Sequence, residues 1–359
     1  MSARAVHQLV AALTPGDAVG NHAFAIRSQL RAAGFDSEIF TDRAHPRAAA
    51  EARPLWQYRQ AAAKHSVCLL HFAIGSPATR LYAGLAGPRV MVYHNVTPPD
   101  FFVGWSRELV RLCHDGRREL LALRAQSDLA LGVSEFNRRD LERAGYSRTG
   151  VLPIVPVLDG PARPASPVLR RLLDDGRDNL LFVGRVAPNK RIEDLVRTFA
   201  VYQRFVQPAS RLLIVGDHRG QERYLGALLR LVDDFRLDEV VFTGHVDDDE
   251  LRACYRSSHA FVSLSEHEGY GVPLLEAMAF GLPVVAFDAA AIRETLAGAG
   301  VLLREKRPDE LAELLFRLIH ERELREAVLA GQRGCLARLH GLDAGALLLE
   351  SLRPLLEAA

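Results

Sequence analysis

Residues 263–288 leave a chain few ways to fold: Ser-Leu-Ser-Glu-His-Glu-Gly-Tyr-Gly-Val-Pro-Leu-Leu-Glu-Ala-Met-Ala-Phe-Gly-Leu-Pro-Val-Val-Ala-Phe-Asp. The apolar run 260–264 has strand length and ends in polar residues. Gly269 and Gly271 follow, and glycine reaches backbone angles that other residues adopt only with strain. Pro273 suits a first helical position, and Gly281 followed by Pro283 stops a helix. Residues 282–287 are the next buried strand. Strand, tight loop, short helix and strand make one βαβ unit, and strands joined in that way run parallel.

Two carboxylates sit in this unit, Glu268 in the loop and Glu276 inside the helix. Both can lie at the carboxyl edge of the sheet, where open α/β sheets bind ligands. The free N–H groups at the helix start favour an anion beside them. Carboxylates for sugar hydroxyls next to amides for phosphate describe a nucleotide-sugar site. Taken singly, Glu268 reads as a solvated loop residue and Glu276 as the polar face of a helix. The stretch as a whole carries the functional reading.

The stretch closely resembles the E-x7-E motif of retaining glycosyltransferases of family 4. Glu268, the loop Gly269-Tyr270-Gly271-Val272-Pro273, the run Leu274-Leu275-Glu276-Ala277-Met278 and the closing Gly281-Leu282-Pro283 match almost position by position. Two glutamates at that spacing alone would say nothing; their frame of Gly, Pro and apolar residues makes the match specific. The resemblance implies an α/β protein of the GT-B fold, two Rossmann-like doubly wound domains facing a cleft. It implies transfer of a hexose from a UDP- or GDP-sugar to a hydroxyl of a glycan, lipid-linked or natural-product acceptor, with retention. It assigns Glu276 to the ribose hydroxyls and Glu268 to hydroxyls of the transferred sugar. Gly269, Tyr270, Gly271 and Val272 then line the donor.

A length of 359 residues suggests two domains, because single cores stop growing near about 250–300 residues. The formal net charge of +1 offers no basic face for nucleic acid. Cys68, Cys113, Cys254 and Cys335 show no metal-type spacing and read as free thiols of a reducing compartment. The start, Met-Ser-Ala-Arg, lacks the apolar run of a signal segment, and no apolar run reaches about 18 residues. A soluble cytoplasmic protein is expected.

In chain order, 6–13 reads as a first strand, followed by a glycine-bearing loop 14–21 and a helix from about His22 to Ala33. The loop has neither a dinucleotide fingerprint nor the Lys-Ser/Thr of a P-loop, so a plain turn stays open. The resemblance makes Asp17, Gly20 and Asn21 candidates to meet acceptor or donor phosphate. Residues 37–40, 67–72, 89–93 and 128–133 are further strands. The strand 89–93 runs into His94-Asn95-Val96-Thr97-Pro98-Pro99, where the prolines forbid a helix. A lone His there is as readily structural, but in similar transferases it sits beside the transferred sugar, from the other domain. Residues 101–123 read as mostly helix, bearing Arg107, Arg111, Arg117 and Arg118, with Arg124 just beyond. Such a face is ordinarily solvated; the alternative is peripheral contact with anionic lipid. Four prolines within 156–167 mark an inter-domain linker, 156–178.

A second α/β pattern begins at Asn179, giving domains 1–155 and 179–340 and a closing segment 341–359 that, by resemblance, crosses back to the first. Strand 180–183 ends in Gly184-Arg185-Val186-Ala187-Pro188-Asn189-Lys190. Two cations on one strand-to-helix loop can clamp a diphosphate, Arg185 by its planar fork and Lys190 as a point charge. They match the family's phosphate-binding Gly-Arg…Lys. The strand 211–215 ends in Gly216-Asp217, followed by His218 where the family often has another Gly. After strand 240–243, the loop containing His245 and Val246 borders the nucleotide base by resemblance. Asp247, Asp248 and Asp249 invite a metal, but a helix starting at 249 or 250 accounts for them as cap and dipole partners.

Negative charge builds on the departing diphosphate, and Arg185, Lys190 and the amides near Gly271–Pro273 would stabilise it, a role metals play elsewhere. No cofactor and no metal is therefore expected. Retention comes from the resemblance; no carboxylate can be named as a covalent nucleophile, so same-face attack is expected. A phosphorylase, a sugar-nucleotide epimerase and a silent nucleotide-sugar-binding subunit stay open, since fold alone does not exclude them. A nicotinamide dehydrogenase lacks its glycine fingerprint.

Overall fold

The computed structural model describes residues 5–14, 16–61 and 66–358. Met1–Arg4, on which the expectation of no signal segment rests, lie outside the described residues, as does Pro15 in the first glycine-bearing loop. The chain divides into two compact units. The first comprises Met1–Pro99, Glu108–Pro156 and Gly341–Ala359; the second comprises Asp100–Arg107 and Val157–His340.

Unit 1 holds a parallel sheet of β1 (Val6–Val10), β2 (Ile39–Thr41), β3 (Arg53–Pro54), β4 (Val67–Phe72), β5 (Arg89–Tyr93), β6 (Leu129–Gly132) and β7 (Thr149–Val151), in the order β3-β2-β1-β4-β5-β6-β7. Unit 2 holds β8 (Asp178–Val183), β9 (Ser210–Val215), β10 (Val240–Gly244), β11 (Ala260–Ser263), β12 (Val284–Phe287) and β13 (Val301–Leu303), in the order β10-β9-β8-β11-β12-β13. Every pairing in both sheets is parallel. Strands covered on both faces read as unbroken apolar runs, which is why 67–72 and 260–264 were recognisable. In unit 2, Leu180, Phe182, Ile214 and Val262 pack with Leu195, Phe199, Leu311 and Leu315 in one buried cluster. Full burial of each such side chain contributes about 1.5–3 kcal/mol.

Several boundaries differ from expectation, each for a local reason. The first helix spans Ala18–Ala32, so Gly20 and Asn21 lie in its first turn and not in the preceding loop. A Cβ at Gly20 would fall 2.4 Å from the Thr14 carbonyl oxygen, so glycine lets the helix start directly on the strand end. Residues 101–123 are mostly helical, as expected: a 3-10 turn Pro99–Phe102 precedes the helix Arg107–Leu123, with Gly104 left-handed between them (φ 82°). The run 156–178 is structured. A 3-10 turn Gly160–Ala162 and a helix Pro167–Leu173 capped by Ser166 place prolines at their starts. Ser166 N–H donates to the Asp249 carbonyl (2.9 Å) and Arg252 Nε to that of Pro164 (2.6 Å), fixing the run to unit 2. The last helix, Ala344–Ala358, packs on helix Ala18–Ala32 of unit 1 and buries Leu348 and Leu352.

Candidate functional site

In each sheet the strand order reverses once, between β1 and β4 in unit 1 and between β8 and β11 in unit 2. Such a reversal opens a crevice at the carboxyl ends of the strands. In unit 2 it brings together the loop after β8, with Arg185 and Lys190, and the loop after β11, with Glu268. Two hydrogen bonds stitch these loops: Glu266 N–H to the Asn189 carbonyl (2.9 Å) and Asn189 Nδ2 to the His267 carbonyl (3.1 Å). Lys190 Nζ then donates to Glu268 Oε1 at 2.6 Å, with both side chains largely shielded from solvent. Asn189 is buried and carries this geometry, and a buried amide between two loops has no sequence signature.

Gly184, Gly216 and Gly244 end β8, β9 and β10 side by side. Gly184 N–H donates to the Val215 carbonyl (2.9 Å) and Gly216 N–H to that of Gly244 (3.1 Å). A Cβ at Gly216 would sit 2.1 Å from the Gly184 carbonyl oxygen. This close approach leaves Arg185 exposed on the rim, where its charge, after Arg219 beside it, helps hold the Asp217 carboxyl down to about 2. The ring of His218 lies 3.8 Å from where a Cβ of Gly244 would be. His245 is exposed and Val246 half-buried on the next loop. Asp247 caps the helix Asp248–Arg256 through a capping box with Glu250, so these acids serve the helix start, one or two residues before the expected one.

Gly271, left-handed at φ 99°, is the N-cap of helix Val272–Ala279, and Pro273 lies in its first turn. The Thr295 hydroxyl donates to the Tyr270 carbonyl, tying the loop to the following helix. Glu276, the fifth residue of this helix, receives the Tyr255 hydroxyl on Oε2 at 2.8 Å. Burial raises the Glu276 carboxyl above its ordinary range, with the Tyr255 hydrogen bond acting against it. Tyr255 is stacked on Phe280 with ring centroids 4.9 Å apart and planes 9° from parallel. Behind Glu268 a further cation, Lys306, pairs with Glu266 (2.8 Å) and Asp194 (3.1 Å) and lies 4.5 Å over the Phe287 ring. Burial pushes Glu266 up, but Lys306 and Arg191 bring it below the usual carboxylate range. Neither Tyr255 nor Lys306 was marked by the sequence, since each lies outside the motif.

Unit 1 gathers a different set. His94 follows β5, and its Nε2 lies 2.9 Å from Nδ1 of His71, the next-to-last residue of β4. Gln8 Nε2 donates to the Ala23 carbonyl (3.2 Å), which turns its Oε1 toward His71 Nε2 at 2.8 Å. A carbonyl oxygen only accepts, so His71 carries its proton on Nε2 and its Nδ1 accepts from His94 Nε2–H. His22, on the first helix, packs edge-on to His94 at 5.4 Å between centroids. Burial lowers all three imidazole pKa values, His22 to about 4. Asp17 is the N-cap of the first helix, and Asn21 Oδ1 accepts from Gly16 N–H (3.1 Å), closing the loop. On helix Arg107–Leu123, Arg107, Arg111 and Arg118 are exposed, whereas Arg117 turns to Asp140 (3.6 Å). Among the described residues no helix is long and apolar enough to cross a membrane.

Residues 170–331 match the family described as glycosyl transferases group 1. A GDP-mannose-dependent alpha-mannosyltransferase of Mycobacterium tuberculosis is 35% identical over 176 residues, 47% of this chain and 41% of that protein. A sulfoquinovosyl transferase of Arabidopsis thaliana is 29% identical over 278 residues, 70% of this chain and 50% of its own length. The chain spans about half the length of the curated relatives it matches. Among solved structures, a sucrose-phosphate synthase from Thermosynechococcus elongatus aligns over 99% of this chain and 100% of its own, with TM-score 0.76 and 20% identity. Anabaena HepE in complex with UDP and glucose aligns over 98% and 99%, with TM-score 0.74 and 17% identity. These likenesses show the α/β fold of two Rossmann-like, parallel-sheet domains.

Proposed function

We propose that this chain is a retaining glycosyltransferase that moves a hexose from a nucleotide-diphosphate sugar to an acceptor hydroxyl. The observation that carries the reading is the Lys190–Glu268 pair at the strand reversal of unit 2. It sets a cation for phosphate against a carboxylate for sugar hydroxyls, with the N-terminus of helix Val272–Ala279 following Glu268 along the same loop. Arg185 and Lys190 hold the diphosphate, Glu276 takes the ribose hydroxyls, and His245 and Val246 border the base. As the bond to the anomeric carbon breaks, charge collects on the leaving diphosphate and these cations stabilise it. Same-face attack has a phosphate oxygen accept the proton of the acceptor hydroxyl, so turnover needs no added metal. The relatives' names point to GDP-mannose, and the HepE complex to UDP, as donor chemistries to try first.

The test is a thermal-shift panel with UDP, GDP, ADP and dTDP on the wild type, Glu276→Ala and Arg185→Ala. A ligand at about 100 times its dissociation constant stabilises by roughly 2.7 kcal/mol, a shift of a few degrees. One diphosphate should shift the wild type and lose its effect in both variants. If none shifts the wild type at high concentration, the donor site is wrong.

A further inference from the structure

We propose that His22, His71 and His94 form a binding site in unit 1 for a transition-metal dication of the Zn2+ class. Each ring contributes one nitrogen, and the three nitrogens lie within 4.8 Å of one another. They come from three separate elements, the first helix, β4 and the loop after β5, so the sheet and helix themselves fix the cluster. His71 Nδ1 and His94 Nε2 are already 2.9 Å apart. Two ligands at about 2.0–2.1 Å from one tetrahedral ion stand roughly 3.3 Å apart. The three donor atoms, all within 4.8 Å of one another, have only to settle to that spacing around one ion.

Two independent observations point the same way. His22 is buried, and its Nδ1 has no hydrogen-bond partner, an uncompensated polar atom at the edge of the cluster. Gln8 Oε1 holds the outer N–H of His71, as an outer carbonyl orients a ligating imidazole and points its other lone pair inward. Gln8 is in turn anchored to the carbonyl of Ala23, next to His22 on the same helix. Three imidazoles with no carboxylate suit Zn2+, Co2+, Ni2+ or Cu2+ and not Mg2+ or Ca2+, which take oxygen. His94 is the only one of the three that is not fully buried, which gives the ion a way in. On loading, the ion takes the place of the proton that His94 Nε2 donates to His71 Nδ1, and His94 carries its single N–H on Nδ1 instead.

The experiment is a Co2+ titration of the chelator-treated full chain, read by visible absorption, with Zn2+ added afterwards. One equivalent should give the intense bands of a low-symmetry, four-coordinate site, and Zn2+ should erase them. His22→Gln should weaken Co2+ at least tenfold while circular dichroism stays native. Ring 1H–15N spectra of the wild type give a measurement that needs no variant: Zn2+ should shift the nitrogens of three of the 13 histidines. Weak six-coordinate bands, saturable binding untouched by His22→Gln, or shifts confined to other histidines would each overturn the site.

Discussion

Lys190 Nζ and Glu268 Oε1 stand 2.6 Å apart, joining the two loops that meet at the strand reversal of unit 2. Each residue is expected to hold a different part of one donor, so they should separate functionally. Lys190→Ala removes a phosphate contact and should weaken both the free nucleoside diphosphate and the sugar nucleotide. Glu268→Gln should leave diphosphate affinity within a few-fold of wild type and lower kcat/KM by about 10²–10³, the scale for one well-placed transition-state contact. Calorimetric titrations beside steady-state kinetics test this. Equal losses of diphosphate affinity in both variants would mean the pair is only a structural strut.

The Tyr255 hydroxyl gives Glu276 its hydrogen bond inside the protein. Tyr255→Phe keeps the ring stacked on Phe280 but removes the hydroxyl that counters burial of the carboxyl. The Glu276 pKa should rise further, and nucleoside diphosphate affinity should fall about fivefold to tenfold, near the worth of one hydrogen bond of about 1 kcal/mol. The loss should be largest at low pH, where the carboxyl is protonated. An affinity unchanged from pH 5 to pH 8 would remove Glu276 from the ribose.

Acid should act on unit 1 through its buried histidines. His22 titrates near 4 in the folded protein and near 6.5 unfolded, so between those values the unfolded chain binds more protons. Stability is therefore full above pH 6.5, falls as pH drops toward 4, and levels off below. The His22 contribution is of order 3 kcal/mol. Urea unfolding from pH 7.5 to 4 should show this slope, reduced in His22→Gln. A slope identical in the variant would place the titration elsewhere.

Glycines with different surroundings should respond with opposite signs. Gly216→Ala drives a methyl into the Gly184 carbonyl oxygen and should lower Tm by several degrees while displacing the Arg185 loop. Gly331→Ala, inside helix Arg322–His340 with open space around it, should stabilise by about 0.5–1 kcal/mol. Differential scanning calorimetry compares the two; a neutral Gly216→Ala would mean the strand ends part without cost.

Strands and the motif loop were legible because a doubly covered parallel strand is an apolar run and because Gly271, Pro273 and Gly281 punctuate a short helix. The helix 272–279 and the cap at Asp247–Glu250 followed from the same local chemistry. What escaped depends on contacts between distant segments. Asn189 bonding to His267, Tyr255 reaching Glu276 and His22 joining His71 and His94 leave no mark on neighbouring residues. The secondary structure of the proline-rich run 156–178 was not legible for a related reason: proline starts helices as readily as it breaks them, and here Pro161 lies at the start of a 3-10 turn and Pro167 at the start of a helix.

The helix Ala344–Ala358 belongs to unit 1 although the whole of 157–340 intervenes in the chain. A ribosome making this protein therefore releases all residues of unit 2 before it delivers the last helix of unit 1. Until then the face of helix Ala18–Ala32 that Leu348 and Leu352 will cover stays open to chaperones and to other nascent chains. Termination between residues 157 and 343 leaves unit 1 with that apolar seam exposed.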